Sequence, residues 1–149
     1  MRVGEYCNRE VIVAERTTGV IEAARLMRRY HVGNLVIVER EHDIARPVGI
    51  VTDRDLVVEV LAQDAPPAQL ALDDVMSAHL ATASEDDDVL ETLRRMRSLG
   101  VRRMPVVDGR GALAGILAVD DLLELMAGSL HEIVGLIARE LRTEEQRRP

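Results

Sequence analysis

The stretch GIVTDRDL, Gly49 to Leu56, ends an apolar run with the hydroxyl of Thr52 and the carboxylates of Asp53 and Asp55 set around Arg54. Residues of these types can do three things. Two carboxylates can share acid–base work if they face one reacting atom. An ionised carboxylate can accept both vicinal hydroxyls of a ligand, and acids at a helix start can satisfy orphan backbone N–H groups. Later in the chain GILAVDDL, Gly115 to Leu122, keeps the last acid as Asp121, adds Asp120, and has Ala118 where Thr52 stood. Acids adjacent on a helix point apart, so Asp120 and Asp121 do not form a general acid–base couple. No Ser-His-Asp order, Walker loop or GxGxxG accompanies the carboxylates. His31, His42, His79 and His131 are scattered without metal-ligand spacing. The expectation is a binding surface or a set of caps, with no catalytic residue, no metal and no enzymatic turnover.

The elements that must position these groups come in two copies. Sliding the chain by 69 places sets Val20 on Val89, Glu22 on Glu91, Met27 on Met96, Val32 on Val101 and Val38 on Val107, and VGEYC falls on LDDVM. After Val107 the offset is 66, because EREHDIARP is three residues longer than DGRGAL. Periodicity in the first copy predicts a short strand at Val11 to Val13 and a helix from about Gly19 to Tyr30 capped by Thr17 or Thr18. NLVIVE and VGIV then read as strands, and DRDLVVEVLAQ as a closing helix. The second copy repeats the order, ending in DDLLELMAG. The predicted fold is α/β (α+β), a tandem β-α-β-β-α pair with domains over 1–65 and 70–128, joined by a linker with Pro66 and Pro67, and a C-terminal amphipathic helix and tail over 129–149.

Composition narrows the partners. All nineteen basic residues are arginine against twenty-six acids, and the net charge of −7 argues against counterion-driven nucleic-acid binding. With Tyr6 and Tyr30 as the whole aromatic content, base-stacking platforms have little to be built from. The lone Cys7 aligns with the apolar Met76 and reads as a small core residue; a single cysteine fits a reducing compartment. No apolar run approaches a bilayer-spanning length, and the first residues carry no apolar signal core, so the expected location is the cytoplasm.

A tandem β-α-β-β-α pair carrying VGIVTDRDL and RRMPVVD at these spacings resembles the CBS domain pair, or Bateman module, over residues 1 to 128. The resemblance implies a regulatory module, with the two repeats packed about a pseudo-two-fold axis, that binds an adenine nucleotide (AMP, ADP or ATP) or a related adenosyl ligand in the cleft between them, and requires no cofactor. It implies Asp55 as the ribose acceptor and Thr52 as the phosphate-side donor, with Asp121 marking a second, weaker site that lacks the hydroxyl at Ala118. Arg102 and Arg103 stand where relatives carry basic residues that reach a phosphate, and would face the ligand held on Asp55; Gly33 and Asn34 are their uncharged counterparts. Capping or partnership with Asp86 to Asp88 are the plainer roles for these charges. Val13, Val32 and Val36, with backbone near Ala14 and Thr17, would wall the base.

The expected assembly is a homodimer, because two helices per copy need a covering partner. Leu130, Ile133, Val134, Ile137 and Leu141 recur at helical spacing, and this stripe packs on its own domain or on another copy. An interaction module with degenerate pockets, or a nucleic-acid-binding pair using Arg102 and Arg103, stay as alternatives to sensing. The regulated partner protein is unspecified by the sequence.

Overall fold

The computed structural model describes residues 1–77 and 79–148. Two three-stranded sheets carry the two repeats. In the first, β1 (Val13–Ala14) runs parallel to β2 (Asn34–Glu41), which pairs antiparallel with β3 (Ile44–Thr52). In the second, β4 (Ala83–Ser84), β5 (Arg103–Val107) and β6 (Leu113–Ala118) repeat the pattern. The copies agree to the residue: Ala14 pairs with Ile37 as Ala83 pairs with Val106, and a β-bulge falls after Ile37 and after Val106. The expected first strand at Val11 to Val13 thus pairs as β1 two residues later, at Val13–Ala14. EREHDIARP, read as a polar loop, instead extends the two strands to a turn at His42 and Asp43.

Helices α2 (Val20–Tyr30) and α5 (Val89–Leu99) cover the sheets by their buried stripes, Val20, Ala23 and Met27 in one and Val89, Met96 and the polar Thr92 in the other. Neither Thr17 nor Thr18 caps α2. Gly19 holds that position, while the Thr18 hydroxyl accepts from the Glu15 N–H at 3.0 Å and closes the preceding turn. A glycine offers no side-chain acceptor, so the Val20 N–H donates instead to the carbonyl of Leu70, 2.9 Å away in the linker. Asp88 caps α5, accepting from Leu90 and Glu91.

That linker contact is half of an exchange between the repeats. Helix α4 (Leu72–Val75), from between the copies, buries Leu72 in the first core, and α1 (Val3–Tyr6), from the start of the chain, buries Val3 in the second. The bonds match: Leu72 N–H donates to Thr18 O and Val3 N–H to Asp87 O, both at 2.9 Å, and Val89 N–H takes Met1 O as Val20 N–H takes Leu70 O. The segment N-terminal to the first repeat therefore completes the second. Leu72→Ala removes a fully buried side chain from this exchange and is expected to cost about 3 kcal/mol, read as a drop in denaturant midpoint at constant m.

A third apolar cluster, Val36, Val38 and Ile116 with Val11, Val13, Ile50 and Leu113 against it, joins the faces of the two sheets. The closing helices differ. The first is one turn of α-helix, α3 (Asp53–Asp55), running into a π-helix over Leu56–Leu61. The second, α6 (Val119–Arg147), is a single helix of 29 residues passing through Gly128 without a break, so DDLLELMAG and the C-terminal amphipathic segment are one element. Its stripe does not pack on its own domain: Leu130, Ile133, Val134, Ile137 and Leu141 are all exposed. Among the described residues no helix is long and apolar enough to cross a membrane.

Candidate functional site

The turn from β3 into α3 is built by a reciprocal pair. The Thr52 N–H donates to Asp55 Oδ2 at 2.8 Å, and the Asp55 N–H donates to Thr52 Oγ1 at 3.1 Å. This is a capping box with aspartate at the third position, so the capping reading of Asp55 is realised in the geometry. The box leaves two groups over. Asp55 Oδ1 and the Thr52 hydroxyl proton have no protein partner among the described residues, and both side chains are half-buried. An acceptor and a donor thus stand side by side at one turn. Asp53 is exposed, accepts from the Arg54 N–H at 2.8 Å and gives its own N–H to Gly33 O.

The second copy repeats this frame with one part missing. Asp121 Oδ2 accepts from the Ala118 N–H at 3.3 Å, and Val119 N–H donates to Arg102 O as Asp53 N–H does to Gly33 O. Ala118 returns no hydroxyl. The same N–H to carboxylate contact ties Ala71 to Asp74 and Ser84 to Asp87. An acid three places after an extended residue is therefore this chain's recurrent way of starting a turn; among the described residues a hydroxyl accompanies it at Thr52 and at Ser84, and of the two turns that open the closing helices only the first has one.

Strand register sets the flanks. Asn34 pairs with Thr52, and Arg103 pairs with Ala118. Arg102 is exposed and paired with Asp120 at 3.6 Å, rather than with Asp86 to Asp88, whose partners are Arg2, Arg95 and the terminal amine of Met1. Arg103 is half-buried and makes no ion pair among the described residues.

The expected base wall is divided. Val13 and Val36 belong to the cluster between the sheets, whereas Val32 packs on the core of the first repeat, and Ala14 is buried there with its backbone committed to the ladder with Ile37. Thr17 is exposed and lines a different concavity, about 270 Å³, with Glu15, Arg16, Val38, Glu39 and Arg40. There Arg16 bonds Glu39 at 2.5 Å and Asp73 at 2.9 Å, and those carboxylates, Asp73 first, push its guanidinium further above its usual value. Pairs 23 and 57 residues apart leave no periodic signal in a sequence, and Arg16 was invisible to it.

Cys7 is core, as its alignment with Met76 implied. Burial above all pushes its thiol upward, against the lowering influence of Arg9. Alkylation of Cys7 in the native protein at pH 8 is accordingly expected to run at least about 10-fold slower than in denaturant, followed by mass spectrometry. Among the described residues no group of three His, Cys, Asp or Glu is placed to hold a metal ion.

Comparison with known proteins places these turns in context. The CBS domain family model matches residues 3–62 and again 72–128. An uncharacterised protein of Methanopyrus kandleri is 38% identical over 123 residues, which cover 83% of this chain and 61% of that one. The chain thus spans about three fifths of that relative's length. A solved CBS domain pair in complex with 5′-methylthioadenosine and S-adenosyl-L-methionine superposes with a TM-score of 0.74 at 27% identity, over 87% of this chain and 98% of that one. A hexameric CBS-CP12 protein from bloom-forming cyanobacteria gives 0.71 at 26% identity, over 83% and 69%.

Proposed function

Since the chain belongs to the CBS domain family, with both copies of the domain in tandem, we propose that it is a regulatory module that senses an adenine nucleotide or a related adenosyl ligand between its repeats. One observation carries the reading: the half-buried Thr52 and Asp55 turn holds an acceptor and a donor side by side that have no partner among the described residues. A ribose diol needs the acceptor, and a phosphate or a carboxylate on the ligand takes the hydroxyl proton. Placement at a helix start adds backbone N–H groups of the same polarity. The adenosyl ligands of the solved CBS pair are consistent with this chemistry.

In this reading Arg103, free of any carboxylate among the described residues, supplies the positive charge, and Arg102 releases Asp120 to join it. The base enters by parting Val13 and Val36 from Ile116, since these side chains now fill the space between the sheets. That separation gives ligand occupancy a mechanical consequence, because a ligand shifts an equilibrium only by its preference for one of two arrangements. The listening surface is formed by the helical faces of the repeats, where Ile21, Val57, Leu61 and Leu90 are exposed and an apolar hollow of about 190 Å³ opens between α2 and the π-helix. A second chain covering that face would make the expected homodimer. The module has no catalytic role in this reading, and its setting is the cytoplasm.

Isothermal titration with AMP, ADP, ATP, S-adenosylmethionine and NADH tests the proposal. At least one adenosyl ligand is expected to bind in the micromolar range, about 8 kcal/mol. Silence from all of them at millimolar concentration refutes sensing and leaves the protein-interaction reading, which the filled inter-sheet space favours.

A further inference from the structure

The distal two thirds of α6 pose a problem that the sensing module does not solve. From Gly128 to Arg147 it projects for roughly 30 Å at 1.5 Å per residue, after Leu122 has anchored the helix in the core of the second repeat. Gly128 and Gly135 lie in this stretch with open space around them. Two glycines in about five turns weaken a helix that no tertiary contact supports, and an isolated helix of this length is marginal in water. Its stability must come from packing of an apolar face.

Such a face is present and uncovered by the described residues. Leu123, Met126, Leu130, Ile133, Val134, Ile137 and Leu141 are each 51–63% exposed. Leu123, Ala127, Leu130, Val134, Ile137 and Leu141 follow alternating steps of four and three residues, a heptad seam, and Met126 and Ile133 widen it to the three-in-seven face of a bundle helix. At roughly 100 Å² for each exposed side chain, the strip offers on the order of 700 Å² per chain. A soluble monomer seldom leaves that much contiguous apolar surface in water, and a stable interface takes about 800 Å² per partner.

Charge points to the occupant. The chain carries −7 overall, which makes two copies repel, but from Leu130 onward Glu132, Glu140, Glu144 and Glu145 are balanced by Arg139, Arg142, Arg147 and Arg148. This segment is where copies meet with least repulsion, and a seam of like apolar residues is complementary to itself. We infer that α6 beyond its anchor in the second repeat is a self-association element, packing along Leu123 to Leu141 against the same helix of a second copy. This contact is separate from the helical faces invoked in the sensing proposal, and extends the assembly beyond them.

Sedimentation velocity on the full chain tests the inference. The wild type is expected to sediment as an assembly of two or more chains, and L130E/I137E to lose mass, with that contact weakened at least about 100-fold. Leu136→Glu, 70% exposed and a third of a turn from the middle of the seam, is expected to leave the mass unchanged. Far-ultraviolet circular dichroism follows the helix directly: wild-type helicity rises with concentration, and that of L130E/I137E does not. A monomeric wild type, an unchanged mass in L130E/I137E, or equal dissociation by Leu136→Glu overturns the inference. No ligand enters the experiment, so its outcome is read apart from that of sensing.

Discussion

Asp55→Ala is expected to weaken adenosyl-ligand binding at least about 10-fold, the loss of one charge-assisted contact, while Asp121→Ala changes it by about 3-fold or less. The comparison works because the two aspartates do the same structural job. Each accepts the N–H of the residue three places earlier, Thr52 at 2.8 Å and Ala118 at 3.3 Å, at the start of its closing helix. Removing either cap therefore costs a similar amount of stability, about 1 kcal/mol, and any excess effect of Asp55 on binding belongs to the oxygen that the cap does not use. Thr52→Ala gives the first turn the alanine–aspartate capping pair of the second. It is expected to weaken ligands that carry phosphate more than adenosine itself, since only the former need the hydroxyl donor. Calorimetric titration of the variants beside their denaturant midpoints separates the two effects. Equal binding losses for Asp55→Ala and Asp121→Ala would show the turns to be equivalent, and no loss in either would reduce both aspartates to caps.

How much of this was legible in the residues depends on the distance over which each feature is encoded. The repeat offset of 69 carried the fold, and the shared register of Ala14 with Ile37 and Ala83 with Val106 follows from it. The turn at Thr52 was legible as a motif, because cap and acid lie three residues apart. What escaped was chiefly non-local. The exchange of α1 and α4 rests on hydrogen bonds between residues as far apart as Met1 and Val89, and only the match of VGEYC with LDDVM hinted that the two segments have one job. Gly19 displaced the neighbouring threonines as cap because the linker carbonyl of Leu70 satisfies the helix start in their place. Gly128 read as a stop, but a glycine ends a helix only where the chain turns into the left-handed region, as Gly100 does at φ 67°. His31 takes the same conformation at φ 53° after α2, without a glycine to announce it. The division of Val13 and Val36 from Val32 depends on which face of β2 meets the second sheet, a property of the pair rather than of either repeat.

The equivalent glycines Gly49 and Gly115 give the sharpest test of the exchange between repeats. Each lies on its sheet beneath the sulfur of an exchanged segment. A Cβ on Gly49 would stand 2.7 Å from Met76 Sδ, and one on Gly115 2.7 Å from Cys7 Sγ and 2.8 Å from the carbonyl oxygen of Asn8. The difference lies in what can move. A methionine tip swings aside at small cost, so Gly49→Ala is expected to lose about 1 kcal/mol or less. The Asn8 carbonyl cannot retreat, because Asn8 and Ile116 exchange two backbone hydrogen bonds of 2.9 Å across the same contact. Gly115→Ala must therefore push the N-terminal segment off the second sheet, breaking those bonds and partly unseating Val3, which is fully buried. A loss of about 3 kcal/mol is expected, seen as a fall in denaturant midpoint. Cys7→Ala in the same chain should restore less than half of it, since it clears the sulfur and leaves the backbone clash, and a double-mutant cycle measures that fraction. Full rescue would place the whole conflict at the thiol. A Gly115→Ala protein as stable as Gly49→Ala would mean that the first residues of the chain are not locked to the second repeat, and the reciprocal exchange would lose its support.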